Sequence, residues 1–192
     1  MPLSTPVERE ALHRRRIDIR GYQRIDGLYD IEASLVDTKD YPFENLDRGG
    51  VIEPGEPLHG MWMRLTVDDD MVIRACEAAT DFAPYSVCPE AAPNFAALAG
   101  ASCGPGFNRV VKDRLGGVRG CTHLRELLAQ MATVAYQTIG PMRWRRARAE
   151  REAAVARGEN PPPFRRTLPL NSCHAYDEHG PVVRRFRQEA EE

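Results

Sequence analysis

The run Gly120-Cys121-Thr122-His123-Leu124-Arg125-Glu126-Leu127-Leu128 sets a thiol and an imidazole two residues apart at the mouth of a helix. Leu124, Leu127, Leu128, Met131, Val134 and Ala135 recur at three- and four-residue steps, so the spacing predicts an apolar helix face anchored in a core. The N-terminal end of that helix is then fixed in space. Thr122 suits the N-cap and Glu126 the first turn, and the free N–H groups of such an end lower the pKa of a nearby thiol. Cys121 is therefore the first candidate for chemistry, either as a soft metal ligand or as a nucleophile with His123 or His59 as its base.

Two further ligand-type residues occupy comparable places. His59 stands just before a strand, and Cys88 stands where the returning strand gives way to a helix. In a hairpin those two positions lie at the same end of the sheet, and a helix packed back across it brings Cys121 to that end. The set is then His59, Cys88 and Cys121, with His123 or one of Cys173 and His174 as the fourth ligand. Thiolate and imidazole together suit zinc, iron or an iron–sulfur cluster better than magnesium or calcium. Cys173 and His174 form a second such pair on an expected strand, where adjacent side chains face opposite ways and at most one reaches the site. If one metal position stays open, the centre suits a metal-dependent hydrolase or lyase acting on a small molecule, with Tyr85, Asp26 or His174 moving protons. Cys76 and Cys103 read as structural, and His13, in a solvated basic run, receives no role.

The elements that must position these groups follow from patterning. Residues 1–15 read as a frayed N-terminus and 16–142 as an α+β core domain. From Arg16, Ile17 and Ile19 alternate, an Asp26-Gly27 turn follows, and Ile31, Ala33 and Leu35 alternate against Asp30, Glu32 and Ser34, which predicts a hairpin with one wet face. The Pro/Gly-rich stretch from Lys39 to Pro57 reads as a crossing loop or a lid. Met61, Met63, Leu65 and Val67 then alternate with Trp62, Arg64 and Thr66, Asp68-Asp69-Asp70 makes a solvated turn, and a second hairpin returns through Ala79. An alanine-rich helix from Cys88 to Ala99 and a short one through Val111 and Leu115 precede the central motif. Residues 143–165 read as an exposed charged helix and a proline-rich linker, the helix serving as a dimer contact. Residues 166–187 read as a C-terminal β-hairpin docking on the edge of the N-terminal one. The expected fold class is α+β, an antiparallel sheet of β-hairpins with helices packed on one face.

Bulk properties narrow the function. With 192 residues the chain can bury a core without disulfide staples, and 26 basic against 28 acidic residues leave a formal charge of -2. That balance gives no global pull toward nucleic acid or a membrane surface. The Arg-rich run from Arg143 to Glu152 carries its own glutamates and reads as a solvated face. No apolar run is long enough to span a bilayer, no signal-peptide pattern opens the chain, and five scattered cysteines read as thiols or ligands, so a cytoplasmic location is expected.

Two resemblances rest on these residues. Arg20-Gly21-Tyr22-Gln23-Arg24-Ile25-Asp26-Gly27-Leu28, Pro84-Tyr85-Ser86-Val87-Cys88, Gly120-Cys121-Thr122-His123-Leu124 and Cys173-His174-Ala175 resemble the signatures of a bacterial family of unknown function. The order of Leu58-His59-Gly60-Met61, the return strand, Cys88 and Cys121 is similar to that in iron–sulfur cluster scaffold proteins of the IscU and NifU type. The resemblance implies their α+β fold, with His59 at the first cysteine's place, Cys88 at the second, Cys121 at the last, and Gly120 where a histidine would stand.

Overall fold

Two alternating runs make the centre of the sheet. In the computed structural model, which describes residues 3–164 and 167–188, the strands are β1 (His13–Gln23), β2 (Tyr29–Lys39), β3 (Phe43–Asn45), β4 (Gly50–Ile52), β5 (Pro57–Val67) and β6 (Ile73–Phe82). Four of them form one antiparallel sheet in the order β1-β2-β5-β6, while β3 and β4 pair separately. Along β2, Tyr29, Ile31, Ala33, Leu35 and Asp37 are buried; along β5, Met61, Met63, Leu65 and Val67 are, and His59 continues their phase. Trp62 and Arg64 on the opposite phase are exposed. The period of two thus sends one face into a core and leaves the other in water.

The helices are α1 (Phe107–Leu115), α2 (Thr122–Ala156) and α3 (Pro181–Gln188). Leu124, Leu127, Leu128, Met131, Ala135 and Ile139 of α2 are all at most 1% exposed, so its expected apolar stripe lies in the core. The fold is α+β. Gly21 sets how closely α2 can approach β1, because a Cβ built there would lie 2.0 Å from Thr138 Oγ1 and 2.9 Å from Thr138 Cβ. Thr138 is β-branched and cannot swing away freely. Gly21→Ala is expected to cost about 1–3 kcal/mol of stability through overpacking, measured by chemical denaturation, and Thr138→Ala should relieve it.

Contacts cluster into two units, one ending at Ile139 and one beginning at Gly140. Several expectations change. The N-terminal stretch is not frayed up to residue 15, since β1 already pairs at His13 with Lys39. The stretch from Lys39 to Pro57 holds the β3/β4 hairpin, and Asp47 accepts from both the backbone N–H and the hydroxyl of Ser86. The helix opening at Cys88 is of the 3-10 kind through Leu98; Pro89 fits its first turn, while Pro93 withholds an N–H that an α-helix would use in its interior. Asp68 Oδ1 accepts from the N–H groups of Asp70 and Val72, as a turn aspartate does.

The charged segment from Arg143 is not a separate helix but the continuation of α2, which carries Pro141 in its interior. The expected C-terminal hairpin is absent among the described residues: residues 174–176 form a 3-10 turn and α3 follows. The Asp177-to-Gly180 turn is there, with Gly180 N–H donating to Asp177 O at 2.8 Å. It opens a helix because Pro181 cannot donate to a strand ladder yet fits the first helical position. The boundary at residues 165–166, and the tail from 189 to 192, lie outside the described residues.

Candidate functional site

Strand register builds half of the site. Arg15 pairs with Asp37 across β1/β2, and Asp37 pairs with His59 across β2/β5, so the three stand in one lateral row. Asp37 falls in the apolar phase of β2 and is fully buried, which obliges its carboxylate to find partners. It finds three. Arg15 donates from Nε to Oδ1 at 2.7 Å and from Nη2 to Oδ2 at 2.8 Å, and His59 Nδ1 lies 3.0 Å from Oδ2. His13 Nε2, nearer solvent, lies 3.6 Å from Oδ1.

The start of α2 supplies the other half. The N–H of Arg125 donates to Cys121 O at 3.0 Å, which makes Cys121, rather than Thr122, the residue capping the helix. The ring of His123 lies against that of His59, with centroids 3.9 Å apart and planes at 34°. Cys121 Sγ is 3.9 Å from His123 Nδ1. Arg15 Nη1 reaches Glu126 Oε2 at 2.6 Å, so one guanidinium ties the strand row to the first turn of the helix.

The electrostatics follow from burial and these partners. Burial alone would raise the Asp37 pKa, but hydrogen bonding and charge from Arg15, with smaller help from His59 and His13, hold it below the ordinary carboxylate value. Burial and the neighbouring His123 push the His59 imidazole down to about 4, outweighing the opposing charge and hydrogen bond of Asp37, and the Arg15 charge adds to the lowering. Burial opposes ionisation of Cys121, yet His123 and the N–H groups of Leu124 and His123 together bring the thiol below its ordinary pKa. His123 is raised in turn, chiefly by Cys121. Burial drives Cys76 to about 12 and Cys103 to about 11, which keeps both as inert thiols.

Donor atoms of Asp37, His59 and His123 lie within 4.8 Å of one another, and among the described residues they form the single group of three or more acidic, histidine or cysteine donors with such spacing. Of the residues picked from sequence, His59 and His123 are brought together, and Cys121, outside that group, has its Sγ 3.9 Å from His123 Nδ1. Cys88 heads the 3-10 stretch, half-buried and outside that group. Tyr85 is 59% exposed, and Asp26 is occupied in its turn by Arg24 and the N–H of Leu28. Cys173 and His174 are exposed in the second unit. Sequence reasoning missed Asp37, Arg15, Glu126 and His13. A signal for Asp37 existed, since extending the alternation of Ile31, Ala33 and Leu35 by one step places an aspartate in the core phase.

Fold and site together define an α+β domain with a buried aspartate, two histidines and a thiol at one end of its sheet. The chain belongs to a family described as a protein of unknown function (DUF2889), whose profile matches residues 13–137. That match takes in Arg15, Asp37, His59, Cys88, Cys121 and His123 and stops before Cys173 and His174. No curated protein and no solved structure gives a significant match. Among the described residues no helix is long and apolar enough to cross a membrane.

Proposed function

We propose that this chain is a metal-binding protein that takes one zinc or iron ion through Cys121 Sγ, His123 Nδ1 and His59 Nε2, with Asp37 orienting His59. The 3.9 Å separation of Cys121 Sγ and His123 Nδ1 carries the reading. It is long for a hydrogen bond, whereas two such donors on one tetrahedral zinc stand about 3.6 Å apart from ordinary bond lengths. Asp37 on His59 Nδ1 supports it, because a carboxylate there fixes the tautomer that leaves Nε2 with its lone pair. Two imidazoles on one ion hold their centroids about 5 Å apart, so uptake would open the stack between His59 and His123 by about 1 Å.

The donor set also favours one class of role. A single thiolate with two imidazoles suits a mononuclear ion better than an iron–sulfur cluster held by several cysteines, so a scaffold role is the weaker version. Three protein ligands with one open position suit catalysis better than a closed structural site. An ion held this way would supply Lewis-acid chemistry to a small molecule, as in a hydrolase or lyase. The free thiols fit a reducing, cytoplasmic setting. Elemental analysis of the purified protein should show about one equivalent of zinc or iron, falling at least tenfold in Cys121→Ala and in His59→Ala. Folded wild type that stays free of metal after incubation with either ion would overturn the reading.

A further inference from the structure

We infer that the outer face of the four-stranded sheet is the interface of a homodimer, in which a second copy of this chain packs face to face, with β1 over its β6 and β2 over its β5. This face turns away from the buried phase of Asp37 and His59, so nothing here depends on the metal centre. Strand register sorts the outward side chains into lateral rows. One row runs Arg20, Glu32, Arg64, Glu77, with charges of alternating sign, and the next runs Asp18, Ser34, Trp62, Ala79. Within one chain Arg64 bridges Glu32 at 2.7 Å and Glu77 at 3.6 Å, which holds the charged row in place. Trp62 is 54% exposed, and its Nε1 donates to Asp81 Oδ2 at 2.7 Å, which fixes the indole in one orientation. Beside it lies a hollow of about 470 Å³ that Ser34 helps to line. A rigid, exposed aromatic next to a hollow has the properties of an interface anchor.

The order of residues along the rows selects the occupant. A two-fold axis parallel to the strands, midway between β2 and β5, reverses each row without shifting it along the strands. Arg20 then meets Glu77 of the other copy and Glu32 meets its Arg64, and symmetry makes each contact twice. The same rotation sets Trp62 over Ser34 of the other copy, a large side chain over a small one. In the row of Tyr22, Asp30, Thr66 and Ala75 it sets Tyr22 over Ala75. Charge and shape thus match under one operation. A two-fold perpendicular to the strands and centred on the charged row would instead stack Arg20 on Arg20 and Glu32 on Glu32. Two sheets with their strands aligned within about 30° pack as a β-sandwich does.

Sedimentation equilibrium of the full-length protein at micromolar concentration is the test. Wild type is expected at twice the 21.6 kDa chain mass. Glu32→Arg alone brings an arginine against Arg64 of the other copy, and Arg64→Glu alone brings a glutamate against its Glu32. Each variant should therefore dissociate about a hundredfold more readily. Mixed in equal amounts, the two should regain the dimer mass, because every pair across the mixed interface is again of opposite sign. Exposed ion pairs add little to folding, so both variants are expected to fold. If either does not, Ser34→Trp, which fills the hollow, is expected to dissociate the dimer instead. A monomeric wild type, a dimer that these changes leave as tight as before, or a mixture of the two charge variants that stays monomeric would overturn the inference.

Discussion

Asp37→Ala is expected to lower the unfolding free energy of the metal-free protein by about 3 kcal/mol. The change removes a fully buried carboxylate that Arg15 grips with two hydrogen bonds and that His59 Nδ1 also meets. It leaves the Arg15 guanidinium, about a third exposed, with Glu126 alone, and it leaves His59 Nδ1 without its partner in a nearly dry site. Stranding a buried polar group costs more than the net worth of the bond that held it. The midpoint of urea unfolding should fall with an unchanged slope. Combining Asp37→Ala with Arg15→Met should cost less than the sum of the single changes by about 1–3 kcal/mol, since each removes the same interaction. Strict additivity would mean that the pair contributes nothing as a pair.

Acidification should destabilise the metal-free protein between pH 6.5 and about 4. His59 titrates near 6.5 when unperturbed and near 4 in the fold. Between those values the unfolded chain binds a proton that the native state refuses, so stability falls as pH drops and levels off below the lower value. The full effect is on the order of 3 kcal/mol. Burial is the largest influence on His59 and opposes its protonation. Arg15 and His123 oppose its protonation, and Asp37, which favours it, is already matched by Arg15. The lowered pKa of Asp37 adds a further loss at more acid pH, as the carboxylate is protonated and releases Arg15. His123, raised by Cys121, contributes below its unfolded pKa and loses that contribution as pH rises through its native one, outside this window. His59→Gln should flatten the curve from pH 6.5 to 4; an unchanged slope would place the titrating group elsewhere.

The sheet was legible because its two longest hairpins advertise themselves by period and turn. The β1/β2 pairing is symmetric about Asp26 because a three-residue loop, Ile25-Asp26-Gly27, is closed by the Arg24 N–H donating to Leu28 O; a two-residue Asp-Gly turn would have set Arg15 opposite Thr38, so placing Arg15 opposite Asp37 needs the loop length as well as the alternation. That step depended on taking strand β1 back past Arg16, where the basic run His13-Arg14-Arg15 mimics a solvated tail. The partnership of Asp37 with His59 was not accessible in the same way. It depends on the register of β2 against β5, which the nonlocal course of the chain from Lys39 to Pro57 sets and no local turn encodes. The stripe from Leu124 to Ala135 foretold α2 and hence the place of Cys121 and His123. Topology then brought His123 rather than Cys88 over His59, because the segment after β6 continues as a proline-bearing 3-10 stretch. The C-terminal segment misled because its valines and turn residues fit a strand until Pro181 is weighed as a helix starter.

X-ray absorption at the metal edge of the purified protein tests the centre most directly. The expected first shell contains one sulfur at about 2.3 Å, from Cys121, with imidazole nitrogens at about 2.0–2.1 Å from His59 and His123. In Cys121→Ser the sulfur contribution should vanish while the imidazole signal remains. A metal shell with no sulfur, one with two or more sulfurs, or an unchanged sulfur signal in Cys121→Ser would contradict the assignment of Cys121, His123 and His59 as the ligands.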